Sequence, residues 1–363
     1  MGHKTQQINW PDVKRVLLVK LRSIGDTVLS TPSLIALRRF LPDAQIDILL
    51  EDWVAPVLDG FEPVDNVIAV GKGSTERLRT SWRLRQKRYD VAFNLHGGTT
   101  ATLFVRASGA RHRVGLATYQ YPFLYNHLLS SVSDFWHQEK THSAEQQLAL
   151  LGFVGVPVEG RPKSRLTVNE QALNSINSRL SESAIRNAQS AMALFHPSTA
   201  FFTKQWPTEN FARTAEFLAE KGLQTVAVTS KSENAVLEKL VHESKVPIIT
   251  FDDLSLPEIT ALASKAKLFV GNDSGIAHIA AAVQTPTVVI FGSSNRDHWR
   301  PWTDAPNEIV YTEFACQPCP GYTCEVFGEP RCILSIRTDT VFEAIDKVLK
   351  NNKVENKLDI DYS

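Results

Sequence analysis

Short apolar runs alternate with longer stretches of helical period along almost the whole chain. "RVLLVKL" from Arg15, "QIDILLED" from Gln45, "VDNVIAVG" from Val64, "YDVAFNLHG" from Tyr89 and "HRVGLA" from His112 each read as a buried strand. Between them the pattern predicts helices over residues 27–41, 76–88 and 99–108, with a shorter one at "VAPVLDGFE". A further helix is expected over residues 141–152. Strands that alternate with helices imply a parallel, doubly wound sheet. The rhythm stops at "GVPVEGRPKSRLTVNEQ", which reads as a linker leading into a helix near residues 169–185. It then restarts with strands at "SAMALFHPS", "QTVAVTS", "VPIITF", "LFVGNDS" and "PTVVIFG". The intervening helices are expected over residues 207–221 and 232–243, over "SLPEITALASKA" and from Gly275, with a last one over residues 338–350. The expectation is two Rossmann-like α/β domains facing a cleft, residues 1–165 and 166–350, with a polar tail over 351–363. Ligands of such sheets bind at the carboxyl ends of the strands.

The 363 residues suit two domains, and 43% hydrophobic against 21% charged residues describes an ordinary globular chain. Formal net charge is zero, which removes any global case for a nucleic-acid partner. No apolar run reaches the ~18–20 residues of a membrane span. The first residues, "MGHKTQQINWPDVK", lack the apolar core of a signal peptide, so a cytoplasmic location is expected. One local exception to the charge balance is "RLRTSWRLRQKR" from Arg77, where six of twelve residues are basic and none is acidic. With Arg106, Arg111 and Arg113 it suggests an anionic or membrane-surface partner, against the plainer reading of a solvated face.

Candidate chemistry gathers at the predicted strand ends. Asp26 follows Gly25 at the first strand-to-helix turn, where it either acts on a ligand or caps the helix behind it. "HPSTAFFTKQW" offers the hydroxyls of Ser198, Thr199 and Thr203 and the charge of Lys204, a set suited to a diphosphate. Asp273, Ser274 and Gly275 open a helix whose amides favour an anion, and His278 stands one turn inside it. Glu233 ends another strand, where it is able to take ribose hydroxyls or simply to favour its helix dipole. His96 lies on the glycine turn "NLHGG". Cys316, Cys319, Cys324 and Cys332 are the only cysteines, spaced C-x2-C-x4-C-x7-C, which leaves open a metal site or a loop of reduced thiols. No G-x-G-x-x-G follows the first strand, which argues against a dinucleotide oxidoreductase.

Three segments, "VKLRSIGDTVLSTPSL", "HPSTAFFTKQWP" and "VGNDSGIAHIAAA", together resemble the lipopolysaccharide-core heptosyltransferases of glycosyltransferase family 9, over nearly the whole chain. The cysteines look like those of the branch that adds the second heptose. The resemblance implies a GT-B fold and an inverting transfer of heptose from ADP-heptose to the anionic inner-core and lipid A acceptor, at the cytoplasmic face of the inner membrane. It implies no required cofactor. Asp26 would be the general base, and Lys204 would support the leaving diphosphate with the amides at Ser274–Gly275. Ser198, Thr199, Thr203, Glu233, Asp273 and His278 would complete the donor site in the C-terminal domain. Arg83, Arg85, Arg88, His96 and Arg113 would meet the acceptor in the N-terminal domain, on which the family's final helix commonly packs. Phe201 and Phe202 depart from the polar residues common in this loop. The alternatives are a transferase of the same fold using another nucleotide sugar for another surface glycan, and a non-catalytic nucleotide-sugar binder.

Overall fold

In the computed structural model, residues 7–182, 191–319 and 321–358 are described, with side chains to residue 351. Residues 183–185 of the expected helix and 359–363 of the expected tail lie outside them. The chain divides into two units, Met1–Thr167 and Val168–Ser363.

The first unit holds β1 (Arg15–Leu21), β2 (Gln45–Glu51), β3 (Asn66–Val70), β4 (Val91–Asn94), β5 (His112–Leu116) and β6 (His127–Leu129). All pair in parallel, in the order β3-β2-β1-β4-β5-β6. β1 is buried from Val16 to Leu21, so both its faces are covered by helices, as a continuous apolar run requires. The second unit holds β7 (Met192–His196), β8 (Gln224–Val228), β9 (Ile249–Phe251), β10 (Leu268–Asn272), β11 (Thr287–Phe291) and β12 (Asn307–Tyr311), ordered β12-β11-β10-β7-β8-β9. Counted from each unit's own first strand, the two orders are the same Rossmann order. β6 and β12 were not anticipated; they are short edge strands with weak apolar signals, "HLL" and "NEIVY".

One expected helix is broken. Residues 27–41 divide into Ile24–Val28 and Thr31–Phe40, because Pro32 lacks the amide that would continue the ladder. The last helix runs Thr338–Leu358, longer than expected. Its residues Val341, Ile345 and Val348 join the core of the second unit, with Phe195, Trp206, Phe211 and Ile290. Among the described residues no helix is long and apolar enough to cross a membrane.

Candidate active site

In each sheet the crossovers leave the first and fourth strands in opposite directions, and the crevice between those two carboxyl ends is the expected ligand position. In the first unit this is the end of β1 beside β4, the place of Asp26 and His96. Ser23 stands at the cap position of Ile24–Val28, which puts Asp26 in the first turn rather than at the cap. The carboxylate accepts from Lys20 Nζ at 2.8 Å and from Ser23 Oγ at 2.9 Å. Lys20 also donates to the Leu95 carbonyl at 3.1 Å, so the ammonium ties β1 to the turn after β4. Burial alone would push the Asp26 carboxyl up; the Lys20 charge and the two hydrogen bonds outweigh it and hold it below the usual range. His96 is half-buried, and its pKa falls through burial and then through Lys20, with Asp26 opposing. The turn is held by Asn94 Oδ1, which accepts from the amides of His96 and Gly97 at 3.0 and 2.9 Å, and Gly97 supplies the φ of +74°. A charged carboxylate beside a neutral imidazole, opening on a crevice, suits removal of a proton from a bound hydroxyl.

In the second unit the corresponding ends are those of β7 and β10. Lys204 Nζ donates to Asp273 Oδ2 at 2.8 Å, and Ser294 Oγ donates to the same oxygen at 2.5 Å. Gly275–Ala282 starts at Ser274 with no side-chain cap, so neither Asp273 nor Ser274 occupies its first amides. Ser274 Oγ instead meets His196 Nδ1 at 3.0 Å, while Ser198 Oγ lies 3.5 Å from His196 Nε2. Burial lowers the pKa of His196 to about 4, with Glu233 opposing, so the ring is neutral at pH 7. Buried Asn272 donates to the Pro197 carbonyl at 2.8 Å and accepts from the Trp206 amide at 3.0 Å, fixing both ends of the loop that carries Lys204. Gly292 is packed against this loop: a Cβ there would lie 2.2 Å from the Thr203 carbonyl oxygen. The crevice thus offers an ammonium, a hydroxyl and open helix amides, the parts of an anion cradle.

Some anticipated residues have other duties. Thr203 is buried, its hydroxyl held by the Gly321 carbonyl and by Ser293 Oγ at 2.9 Å, so it braces the loop. Thr199 is half-buried at the loop's start, and His278 is buried one turn into its helix. Glu233 accepts from Ser230 Oγ at 2.5 Å in a capping box, the local role that competed with ribose binding. Phe201 lies 5.4 Å from Lys204 Nζ and edge-on to Tyr322 at 4.9 Å.

Arg83, Arg85 and Arg88 do not join Asp26 and His96. Their helix, Ser74–Lys87, ends at the amino edge of the sheet, where Arg15 of β1 donates to the Lys87 carbonyl at 2.7 Å. β1 is seven residues long, so its two ends are roughly 20 Å apart at about 3.3 Å per residue. Arg113 also lies at that edge and donates to the carbonyls of Leu124 and Ala110 at 2.7 and 2.8 Å. The cysteines are all reduced and line one small pocket, where burial and then Cys319 push the Cys332 thiol up. Lys20, His196, Asn272 and Ser294 were not singled out from the sequence. Lys20 sits inside an apolar strand, and His196 ends one; a charged or titratable residue in such a run was the available signal.

Two Rossmann units, one with a charged carboxylate and the other with an ammonium and open helix amides at its strand ends, are the parts expected of a glycosyltransferase of the GT-B fold. Comparison with known proteins supports that class and narrows it. The sequence profile of glycosyltransferase family 9 (heptosyltransferase) matches residues 77–327, and the chain belongs to that family. Lipopolysaccharide heptosyltransferase 3 of Escherichia coli K12 is 26% identical over 300 residues, covering 78% of this chain and 84% of the relative. The crystal structure of a family 9 glycosyltransferase from Veillonella parvula superposes with a TM-score of 0.80 at 20% identity, over 93% of this chain and 97% of that one. The structure of E. coli ADP-heptose LPS heptosyltransferase II gives 0.77 at 22% identity, over 93% and 99%.

Proposed function

We propose that this glycosyltransferase moves heptose from ADP-heptose to the inner-core and lipid A acceptor of lipopolysaccharide, with inversion at the anomeric carbon. The observation that carries the reading is the pairing of Lys204 with Asp273 beside the uncapped start of Gly275–Ala282. Residues 166–350 hold the donor and residues 1–165 the acceptor. The acceptor oxygen attacks the anomeric carbon as the bond from that carbon to the diphosphate oxygen breaks. The proton of the attacking hydroxyl passes to Asp26, and the electron pair leaves with ADP. Lys204 and the amides of Gly275–Ala282 stabilise the charge that grows on the departing diphosphate. Lys20 keeps Asp26 ionised and aimed, and His96 lines the acceptor side.

The helix Ser74–Lys87 supports peripheral contact with the cytoplasmic face of the inner membrane. Leu78 and Trp82 are 72% and 64% exposed, one turn apart, on a helix whose arginines include Arg77, Arg79, Arg83 and Arg85. Arg79 pairs with Glu76 of the same helix at 3.0 Å, and apolar side chains amid the remaining excess of positive charge suit an anionic bilayer surface. On this reading the arginines meet lipid rather than the acceptor sugar.

Calorimetric titration with ADP, UDP, GDP and then ADP-heptose tests the donor. Selective binding of ADP, tightened by heptose, supports the proposal. A preference for UDP or GDP would assign the chain to another sugar and another glycan.

A further inference from the structure

With Arg83, Arg85, Arg88 and Arg113 at the amino edge of the first sheet, and Lys20 buried against Asp26, another cation must meet an anionic acceptor. The neighbouring strand ends supply one, with two companions. Leu21 of β1 stands beside Leu50 of β2. Arg22 and Glu51 are therefore the next residues out on strands about 4.8 Å apart. Arg22 is exposed and forms no ion pair with any described residue. Glu51 is buried at 6% exposure, and among the described residues its one hydrogen-bond partner is Trp53, whose Nε1 donates to Oε2 at 2.9 Å. That bond pins an indole that is itself 44% exposed. The turn holds together without these side chains. The Asp52 amide donates to the Val70 carbonyl at 3.1 Å, and the Val54 amide to the Glu51 carbonyl at 3.0 Å. The chain then enters the short helix Ala55–Leu58, which packs on Ile24–Val28, the helix of Asp26. Both charges act on His96: beyond burial and Lys20, which lower its pKa, Arg22 lowers it further, while Asp26 and Glu51 raise it.

A carboxylate offers about four acceptor sites, and the indole fills one of them. A buried carboxylate with a single neutral donor is costly to keep unless further donors reach it. Sugar hydroxyls are such donors, and their bonds to an ionised oxygen are about twice as strong as neutral ones. An indole face is apolar, rigid and wide enough to lie against the C–H face of a pyranose ring. A guanidinium matches the planar fork of a carboxylate or a phosphate. We propose that Arg22, Glu51 and Trp53 form the acceptor-sugar subsite beside Asp26. Trp53 carries the ring that bears the attacking hydroxyl, Glu51 accepts from its neighbouring hydroxyls, and Arg22 holds an anionic group of the same glycan. The subsite rests on the transfer reading above and adds to it the residues that choose the acceptor.

Deacylated inner-core oligosaccharide, with and without phosphatase treatment, is titrated into the full chain by calorimetry, and its elongation by ADP-heptose is followed at steady state. Trp53→Ala and Arg22→Gln alter exposed side chains. Each should raise the Kd and KM for the oligosaccharide about tenfold, the worth of one charged hydrogen bond, while ADP affinity stays within about twofold of the parent's. Trp53→Phe, which keeps an aromatic face, should recover part of that loss. Glu51→Gln keeps a partner for the indole and should raise the acceptor KM at an unchanged unfolding midpoint; a lowered midpoint with an unchanged KM would make Glu51 structural. An Arg22→Gln penalty that vanishes on the phosphatase-treated oligosaccharide assigns the anion to a phosphate, and one that persists assigns it to a carboxylate. The subsite is overturned if the parent elongates the oligosaccharide and both Trp53→Ala and Arg22→Gln keep its KM within about twofold, a result that leaves the transfer reading standing. A parent that neither binds nor elongates the oligosaccharide overturns the acceptor reading itself, and the subsite with it.

Discussion

Gly292 offers the sharpest test of how tightly the anion cradle is built. Its backbone lies on the loop carrying Lys204, and a methyl group there would fall 2.2 Å from the Thr203 carbonyl oxygen and 3.2 Å from the Lys204 Cα. Ordinary carbon–oxygen contact begins near about 3.3 Å. The loop, or the start of the turn after β11, must therefore retreat by about 1 Å. A misplacement of that size around a reacting centre costs about 10²-fold in rate, or about 2.7 kcal/mol of transition-state stabilisation. Gly292→Ala is thus expected to lower kcat/KM for transfer about 100-fold and to weaken ADP binding, measured by steady-state kinetics and calorimetry. Gly160→Ala, where a Cβ meets nothing within 4 Å, serves as the control and should be silent. A Gly292→Ala enzyme that keeps kcat/KM within threefold of the parent, with unchanged ADP affinity, would refute the claim that this loop presents the donor-binding lysine.

Asp26→Asn should reduce turnover by about 10²–10⁴, the usual worth of a general base, while donor affinity measured by calorimetry stays close to the parent's; loss of both together would mark Asp26 as structural. Lys20→Met removes the charge that holds the Asp26 carboxyl low, so the acid limb of the kcat/KM–pH profile should move to higher pH, and an unmoved limb would separate Lys20 from the base. His196 has its folded pKa depressed to about 4, below its unfolded value near 6.5, so the unfolded chain binds the extra proton first as pH falls. Stability of the second unit should therefore drop by about 2 kcal/mol between pH 7 and 5, and His196→Asn should flatten that slope in denaturant titrations. Asn272→Ala leaves the Pro197 carbonyl and the Trp206 amide without their partner and should cost about 2–4 kcal/mol, read as a lowered unfolding midpoint.

Much of this architecture is legible in the pattern of apolar runs, because parallel strands buried on both faces are continuous in sequence. "RVLLVKL" and "LFVGN" announce themselves; β6, only three residues long, and β12, half exposed, both at sheet edges, do not. The glycine and hydroxyl turns after β1, β7 and β10 are legible for the same reason, since they interrupt those runs. What stays hidden is the pairing across the sheet. Nothing local to "RVLLVKL" says that Lys20 reaches the turn after β4, and nothing in "HPST" says that His196 meets Ser274, 78 residues away. The arginine helix shows the converse error. Its composition is plain, but which edge of the sheet it reaches depends on the β3–β4 crossover, and that carries Arg88 away from Asp26.

The two crevices carry the same device with its sign reversed. Each holds a lysine–aspartate pair at 2.8 Å, placed where the first and fourth strands of its sheet end. In the first unit the lysine is the buried member, 6% exposed, and the aspartate is presented at 26%. In the second the aspartate is buried at 6%, and the lysine is presented at 17%. A lone charge at such a depth would lose its proton or gain one, since desolvation disfavours the ionised form. In each pair the opposite charge offsets that cost, and one member stays the more exposed. On the mechanism proposed above the requirement differs between the two places: an acceptor hydroxyl needs an anion to take its proton, and a departing diphosphate needs a cation. A single topology meets both needs by exchanging which residue faces out. On that mechanism Asp26 and Lys204, each in the turn after its unit's first strand, serve opposite charges.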